Sequence, residues 1–288
     1  MIAHSIKHVA IAYHPDIVEA TLEAANIAAF LEKSGIQSYQ GLISDQELAK
    51  RLIAKEFDLL ISLGGDGTML RAGRLCGPIG VPILGINLGR FGFLMEVRQK
   101  QWKDYLPLLI KGNFWLEERM MLRAQQWRAG VKLGEWEAIN EAVVCRGKTV
   151  LPVHLDTSVD GRFLTTYVAD GLIAATPTGS TAYALAAGGP ILPPELRNIL
   201  IVPVAPHLSI DRAIVLSEGS AVSITIQTNH NAVLSIDGQP PTDLETKDCV
   251  EVCAGDHTVH FVRFQDPGYF YRNLTPHMSQ NPSIGIQK

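Results

Sequence analysis

The chain has 288 residues, of which 47 % are apolar and 19 % charged. That is enough for one large domain or two ordinary ones, and it is a globular rather than a disordered composition. A net charge of −4 predicts no general affinity for nucleic acid or an anionic membrane. No run reaches the about 18 apolar residues of a spanning helix, so no membrane anchor is expected.

The apolar run HVAIAYH (8–14) predicts a first strand, and the start MIAHSIKHVAIAYHPD lacks the pattern of a signal peptide. A helical pattern from Asp16 to Lys33 follows, with apolar Ile17, Leu22, Ile27, Phe30 and Leu31 and a stop at Gly35. A second strand is expected over 36–43 and a short helix over 45–53, with Asp45 as its N-cap. DLLISL (58–63) is apolar at nearly every position, as in a parallel-sheet strand buried on both faces. GGDG is then a loop, TMLRAGRLCG opens a helix, VPILGINL (81–88) is another buried strand, and 99–111 predicts a helix. The alternation predicts an open, mostly parallel, Rossmann-like α/β domain over 1–115.

From about 116 to 264 the long helical patterns give way to short β-rich runs. They are separated by turn signals at Asp160-Gly161, Asp237-Gly238 and Gly255-Asp256. A β-rich, sandwich-like C-terminal domain is expected there, interrupted by one helix over STAYALAAGG (180–189) with Ser180 as its cap. The tail, 265–288, carries prolines and a Tyr-Phe-Tyr cluster and is expected to pack back on the first domain.

The four cysteines, Cys76, Cys145, Cys249 and Cys253, have no disulfide spacing and read as reduced cytosolic thiols. Cys249, Cys253, His257 and His260 admit two readings. One is a zinc site. The other is a β-hairpin, CVEVC–AGD–HTVHFVRF, that happens to carry these residue types.

The strongest chemical signal is the glycine loop Gly64-Gly65-Asp66-Gly67-Thr68. Strand, glycine-rich loop and helix is where open α/β sheets bind phosphates. Position 70 is Leu where a dinucleotide fingerprint needs Gly, and no Gly-Lys-Ser/Thr follows for a Walker A motif. Asp66 also has two readings. It caps the helix that starts near Thr68, worth about 1 kcal/mol, or it orients a hydroxyl that attacks a phosphoryl group and takes its proton. Arg71, Arg74 and Arg90 lie near the loop in sequence. His207 and His230 are assigned no catalytic role.

GGDGT resembles a signature shared by NAD kinases, diacylglycerol and sphingosine kinases and 6-phosphofructokinases. NLGRFGFL (87–94), INEAVV (139–144), DGLIAATPTGSTAYALAAGGPILPP (170–194) and Asp237-Gly238-Gln239 resemble bacterial NAD kinases in order and approximate spacing. The resemblance implies transfer of a phosphoryl group from a nucleoside triphosphate, ATP first, to the adenosine-ribose 2′-hydroxyl of NAD⁺. NAD⁺ and ATP are then the substrates, Mg²⁺ or another divalent cation arrives with the donor, and no residue of the chain is assigned to metal.

Asp66 is the implied catalytic residue. Gly64, Gly65, Gly67 and Thr68 form its loop, and Asn140 and Glu141 contact the nucleotide, with Glu141 on ribose hydroxyls. Thr178, Thr181, Ala182 and Tyr183 match family positions around adenine and ribose, and Asp170 lies toward the nicotinamide end. Phe93 stacks on a base or fills a domain interface. Val168-Ala169, before Asp170, leave the choice between NAD⁺ and NADH open. The resemblance also implies a cytoplasmic homo-oligomer, commonly a tetramer. Two rival functions stand beside this one: a lipid kinase of the diacylglycerol type on the same scaffold, and a non-catalytic NAD(P)-binding sensor.

Overall fold

A computed structural model describes residues 6–89, 92–207 and 210–279. The chain forms two compact units, one of residues up to Glu118 together with those from Val259 onward, the other Arg119–Thr258. Both crossings fall inside long strands, so residues 259–264 cluster with the first unit rather than with the β-rich segment.

The first unit opens with β1 (His8–Tyr13), α1 (Val18–Lys33), β2 (Gln37–Leu42), α2 (Gln46–Ile53), β3 (Leu59–Gly64) and α3 (Asp66–Cys76). It continues through β4 (Ile83–Asn87), β5 (Val97–Arg98) and α4 (Trp102–Ile110). β1 pairs in parallel with β2 and β3, and β4 pairs in parallel with β3 and β5. Every residue of β3 and β4 is buried, as their unbroken apolar sequences require of central strands covered on both faces. Val9, Ile11, Ile61, Leu63, Leu84 and Ile86 pack against Ile27 and Leu31 of α1 and Trp102 and Leu106 of α4. Asp45 caps α2 as expected, its carboxylate accepting the Glu47 N–H.

β6 (Trp115–Arg128) and β7 (Val131–Ala138) lead into the second unit, followed by β8 (Glu141–Arg146), β9 (Val153–Val159), β10 (Arg162–Ala169) and β11 (Gly171–Ala175). α5 (Tyr183–Ala186), β12 (Asn198–Val204), β13 (Ile214–Ser217), β14 (Val222–Ile226), β15 (Ala232–Ile236), β16 (Thr242–Leu244) and β17 (Cys249–Arg263) complete it. In the first unit, α6 (Tyr269–Ser279) forms on the Tyr-Phe-Tyr cluster, a helix the sequence reading left unassigned.

Two antiparallel sheets make the sandwich. One contains β10, β9, β14 and the early part of β17, with β6 and β7; the other runs β13–β12–β11–β8–β15–β16. Ala142, Val144, Leu172 and Ala174 point into the core shared by both sheets. Their neighbours Val143, Ile173 and Ala175 face the opposite side and pack against Ala184 of α5. Period-2 alternation thus buries both faces of the central strands.

Two sequence expectations change. The turn at Gly255-Asp256 is absent, because β17 runs straight through it as one strand. A Cβ on Gly255 would press on the Met121 carbonyl at 3.2 Å, and Asp256 is held by Arg123 of β6 at 2.7 Å. The helix over 180–189 shrinks to a 3-10 turn at 179–181 and the four residues of α5. Ser180 is not its cap, since its hydroxyl bridges the Pro177 carbonyl at 2.6 Å and the Leu192 N–H at 2.9 Å.

Candidate active site

In the first unit, the chain leaves β3 at Gly64 and enters α3 at Asp66, two residues earlier than expected. Gly65 is the N-cap, in an extended conformation without a side-chain cap, so Asp66 occupies the first helical position instead of the cap. Its carboxylate reaches sideways: Oδ2 accepts the Phe93 N–H at 2.8 Å and Oδ1 the Leu94 N–H at 3.2 Å. The capping reading of Asp66 therefore fails, and the carboxylate is fixed by a loop 27 residues away in sequence. Phe93 enters this arrangement through its peptide. Of the three arginines near the loop in sequence, Arg90 lies outside the described residues.

The glycines divide by cause. A Cβ on Gly64 would collide with the Thr68 side chain, which is buried against it. A Cβ on Gly92 would come within 3.0 Å of the Asp66 carboxylate carbon and both its oxygens. Around Gly65 and Gly67 a Cβ would meet nothing within 4 Å, and neither has a positive φ. Packing explains the first two glycines; neither packing nor backbone strain explains the second two, whose open flank exposes the start of α3.

In the second unit, Asn140 and Glu141 open β8. Asp237, in the turn between β15 and β16, accepts the N–H groups of Ile139, Asn140 and Glu141 at 2.9, 2.8 and 3.1 Å. Asp237 and Gly238 both have positive φ, and the Gln239 N–H closes the turn on the Ile236 carbonyl at 2.9 Å. This is the primed turn that suits a twisted hairpin. Thr176, directly after β11, donates its hydroxyl to the Ile139 carbonyl at 2.5 Å and its N–H to the Asn140 carbonyl at 2.8 Å. Gly179 passes so close to that carbonyl that no Cβ would fit.

Glu141 is 6 % exposed, and its Oε2 has no hydrogen-bond partner. Burial, then the neighbouring Asp237 charge, push its carboxyl up to about 8, against a smaller opposing pull from the Tyr183 N–H. A buried acceptor left unpaired costs about 1–3 kcal/mol, so this oxygen is a place for a donor to bind. Asp170 pairs with Arg146 at 3.0 Å. The Tyr183 phenol is pushed up, chiefly by burial. Thr178 receives a hydrogen bond from the buried Arg119 at 3.1 Å, and the Thr181 hydroxyl donates to the Thr178 carbonyl at 3.1 Å. Ala182 joins the 3-10 turn to α5.

The second unit therefore places Asn140, Glu141 and Thr178 where β8 begins and β11 ends, with Thr181, Ala182 and Tyr183 following, whereas Asp170 precedes β11 at its opposite end, where Gly171 pairs with Cys145. The first unit holds Asp66, Gly64, Gly65, Gly67, Thr68 and Phe93. Sequence reasoning gave no role to Gly92, Thr176, Arg119 or Arg146, and it saw Asp237 only within a turn and a family motif.

Among the described residues no three His, Cys, Asp or Glu side chains group to hold a metal ion. Cys249 and Cys253 lie four residues apart on one strand, about 13 Å at 3.3 Å per residue, too far to share a tetrahedral ion. His257 instead meets Glu137 at 2.7 Å and His260 meets Glu118 at 3.9 Å.

As a class, a parallel α/β unit with a carboxylate on its glycine loop, joined to a β sandwich with a buried acceptor, defines a nucleotide-handling phosphotransferase. Comparison with known proteins narrows the class. Residues 9–114 match the ATP-NAD kinase N-terminal domain and residues 139–264 the ATP-NAD kinase C-terminal domain. The NAD kinase of Chloroflexus aggregans is 37 % identical over 277 residues, 96 % of this chain and 100 % of that one. That of Paraburkholderia phytofirmans is 44 % identical over 207 residues, 72 % of this chain and 69 % of that one.

Two solved structures share the fold. The yeast NADH kinase complexed with NADH has a TM-score of 0.85 and 26 % identity, covering 99 % of this chain and 91 % of that one. An NAD kinase from Archaeoglobus fulgidus in complex with ATP has a TM-score of 0.75 and 25 % identity, covering 95 % and 99 %. The chain belongs to the NAD kinase family. These comparisons give no support to a lipid kinase or a non-catalytic sensor.

Proposed function

We propose that this chain phosphorylates the adenosine-ribose 2′-hydroxyl of NAD⁺, with ATP as donor, to give NADP⁺. Family membership supports the reaction. The observation that carries the chemical step is the position of Asp66. It stands at the first position of α3, its two oxygens held by the peptides of Phe93 and Leu94, beside the open flank of Gly65 and Gly67.

An alcohol is a poor acid, and a carboxylate removes its proton late. Asp66 therefore acts first by orienting the hydroxyl toward the γ-phosphorus and accepts the proton in or after the transition state. Most of the acceleration comes from alignment. The N-terminus of α3, with Gly64, Gly65, Gly67 and Thr68, faces phosphate oxygens.

In the second unit, the Glu141 oxygens accept the vicinal hydroxyls of a ribose, which supplies the donor that buried Oε2 lacks. Asn140, with one acceptor and two donors on its amide, reads the same nucleotide. Thr178, Thr181, Ala182 and Tyr183 surround adenine and ribose, Asp170 lies toward the nicotinamide, and Phe93 flanks a base.

A divalent cation would arrive with the donor's phosphates, where it would offset their charge. A homotetramer in the cytoplasm completes the proposal. The family resemblance supports the assembly, and four free thiols support the compartment.

The test is formation of NADP⁺ in a coupled assay, offering ATP, other nucleoside triphosphates and polyphosphate as donors and NAD⁺ and NADH as acceptors. ATP with NAD⁺ should give product. Binding of the dinucleotide without product from any donor would overturn the reading.

A further inference from the structure

Beyond the groups that meet substrate, the first unit contains a buried ion pair that the mechanism above does not use. Arg263, at the end of β17, is 1 % exposed, and Glu117, in β6, is 7 % exposed. Arg263 Nε donates to Glu117 Oε2 at 2.7 Å. A different nitrogen of the same guanidinium, Nη1, donates to the Leu94 carbonyl at 3.0 Å. The Leu94 N–H, on the other side of that residue, donates to Asp66 Oδ1. One short path thus runs from Glu117 through Arg263 and Leu94 to the Asp66 carboxylate.

The rest of the segment is tied down in the same way. Glu96, also buried, accepts the N–H groups of Phe264 and Gln265 at 3.1 and 2.7 Å. The Trp115 indole donates to the Gln265 carbonyl at 2.6 Å. The guanidinium lies over the rings of Phe261 and Tyr269, at 5.3 and 5.1 Å from their centroids.

Desolvating a charge pair is expensive, and an apolar pair of similar volume often serves stability as well or better. Stability alone therefore does not account for the pair. An arginine fork spans two acceptors with separate donors, which a single ammonium does not reproduce.

We propose that Arg263 is a positioning residue: held by Glu117, it grips the Leu94 carbonyl and so sets the peptides of residues 93 and 94 that aim Asp66. The inference rests on the reading of Asp66 given above. Arg263 itself touches no substrate.

The discriminating variant is Arg263→Lys. Lysine keeps a cation opposite Glu117 but lacks the fork. A merely structural pair would let lysine restore both melting temperature and turnover. A positioning pair predicts a folded variant that binds NAD⁺ within about twofold of the parent, with kcat down by about tenfold or more. Looser N–H donors also stabilise the carboxylate less, so the acid limb of the kcat profile should move to higher pH. Turnover within about threefold of the parent, with an unmoved acid limb, would overturn the proposal. If the lysine variant does not fold, Glu117→Gln takes the same two readings. If neither folds, the pair is a structural strut and the proposal falls. An inactive parent protein would refute the kinase reading itself, so the two failures are distinct.

Discussion

Gly92 and Asp66 occupy one space: a Cβ on Gly92 would overlap the Asp66 carboxylate that the next two peptides hold. Gly92→Ala should therefore displace the carboxylate and cut kcat by about a hundredfold, with a stability loss of about 1–3 kcal/mol from overpacking. Because both changes act on one group, Gly92→Ala should add little to the rate loss of Asp66→Asn in the double variant. Kinetics of the single and double variants check this. Fully multiplicative losses would mean that Gly92 acts elsewhere.

Gly67 makes the opposite case. A methyl group there meets no protein atom within 4 Å, and the residue is helical. Gly67→Ala should hold or raise stability, by up to about 1 kcal/mol, because alanine favours a helix. It should nevertheless lower turnover by about tenfold or more, because the methyl enters the flank offered to phosphate. Melting temperature and kcat together decide it. Unchanged turnover would show that nothing approaches that face of the loop.

Glu141 gives a pH dependence. Its carboxyl is raised from 4.5 to about 8 in the folded protein. Between those values the folded state holds a proton that the unfolded chain has released, so stability declines as pH rises through this window and levels off above it. Ribose hydroxyls donate to the ionised form, so NAD⁺ affinity should rise with pH up to about 8 and then flatten, with proton release on binding. Calorimetry in two buffers of different ionisation enthalpy measures that release. Glu141→Gln should abolish both slopes and weaken binding. An affinity that is flat from pH 6 to pH 9 in the parent would contradict the ribose role.

Much of the fold was legible because its signals are local. The unbroken apolar runs of β3 and β4 announced a parallel sheet covered on both faces, and Asp45 stands at its helix cap where an aspartate belongs. Local signals also misled. Gly255-Asp256 reads as a turn, yet close packing on β6 makes it strand. STAYALAAGG reads as a helix, yet the Ser180 hydroxyl is taken by the Pro177 carbonyl and the Leu192 N–H, and only Tyr183–Ala186 are α-helical.

The candidate site shows the same limit. The GGDGT loop and Asn140-Glu141 are visible as strings of residues. What orients them is not: Asp66 is held from 27 and 28 residues away, Asn140 from 97, and Leu94 from 169. Such pairings follow from topology and leave no periodicity in either segment.

The most direct measurement is the turnover of Asp66→Asn, which keeps the size of the side chain and removes its basicity. NADP⁺ formation should fall by about a hundredfold or more, while calorimetry finds NAD⁺ bound within about twofold of the parent. Turnover within about threefold of the parent would contradict the role assigned to this carboxylate.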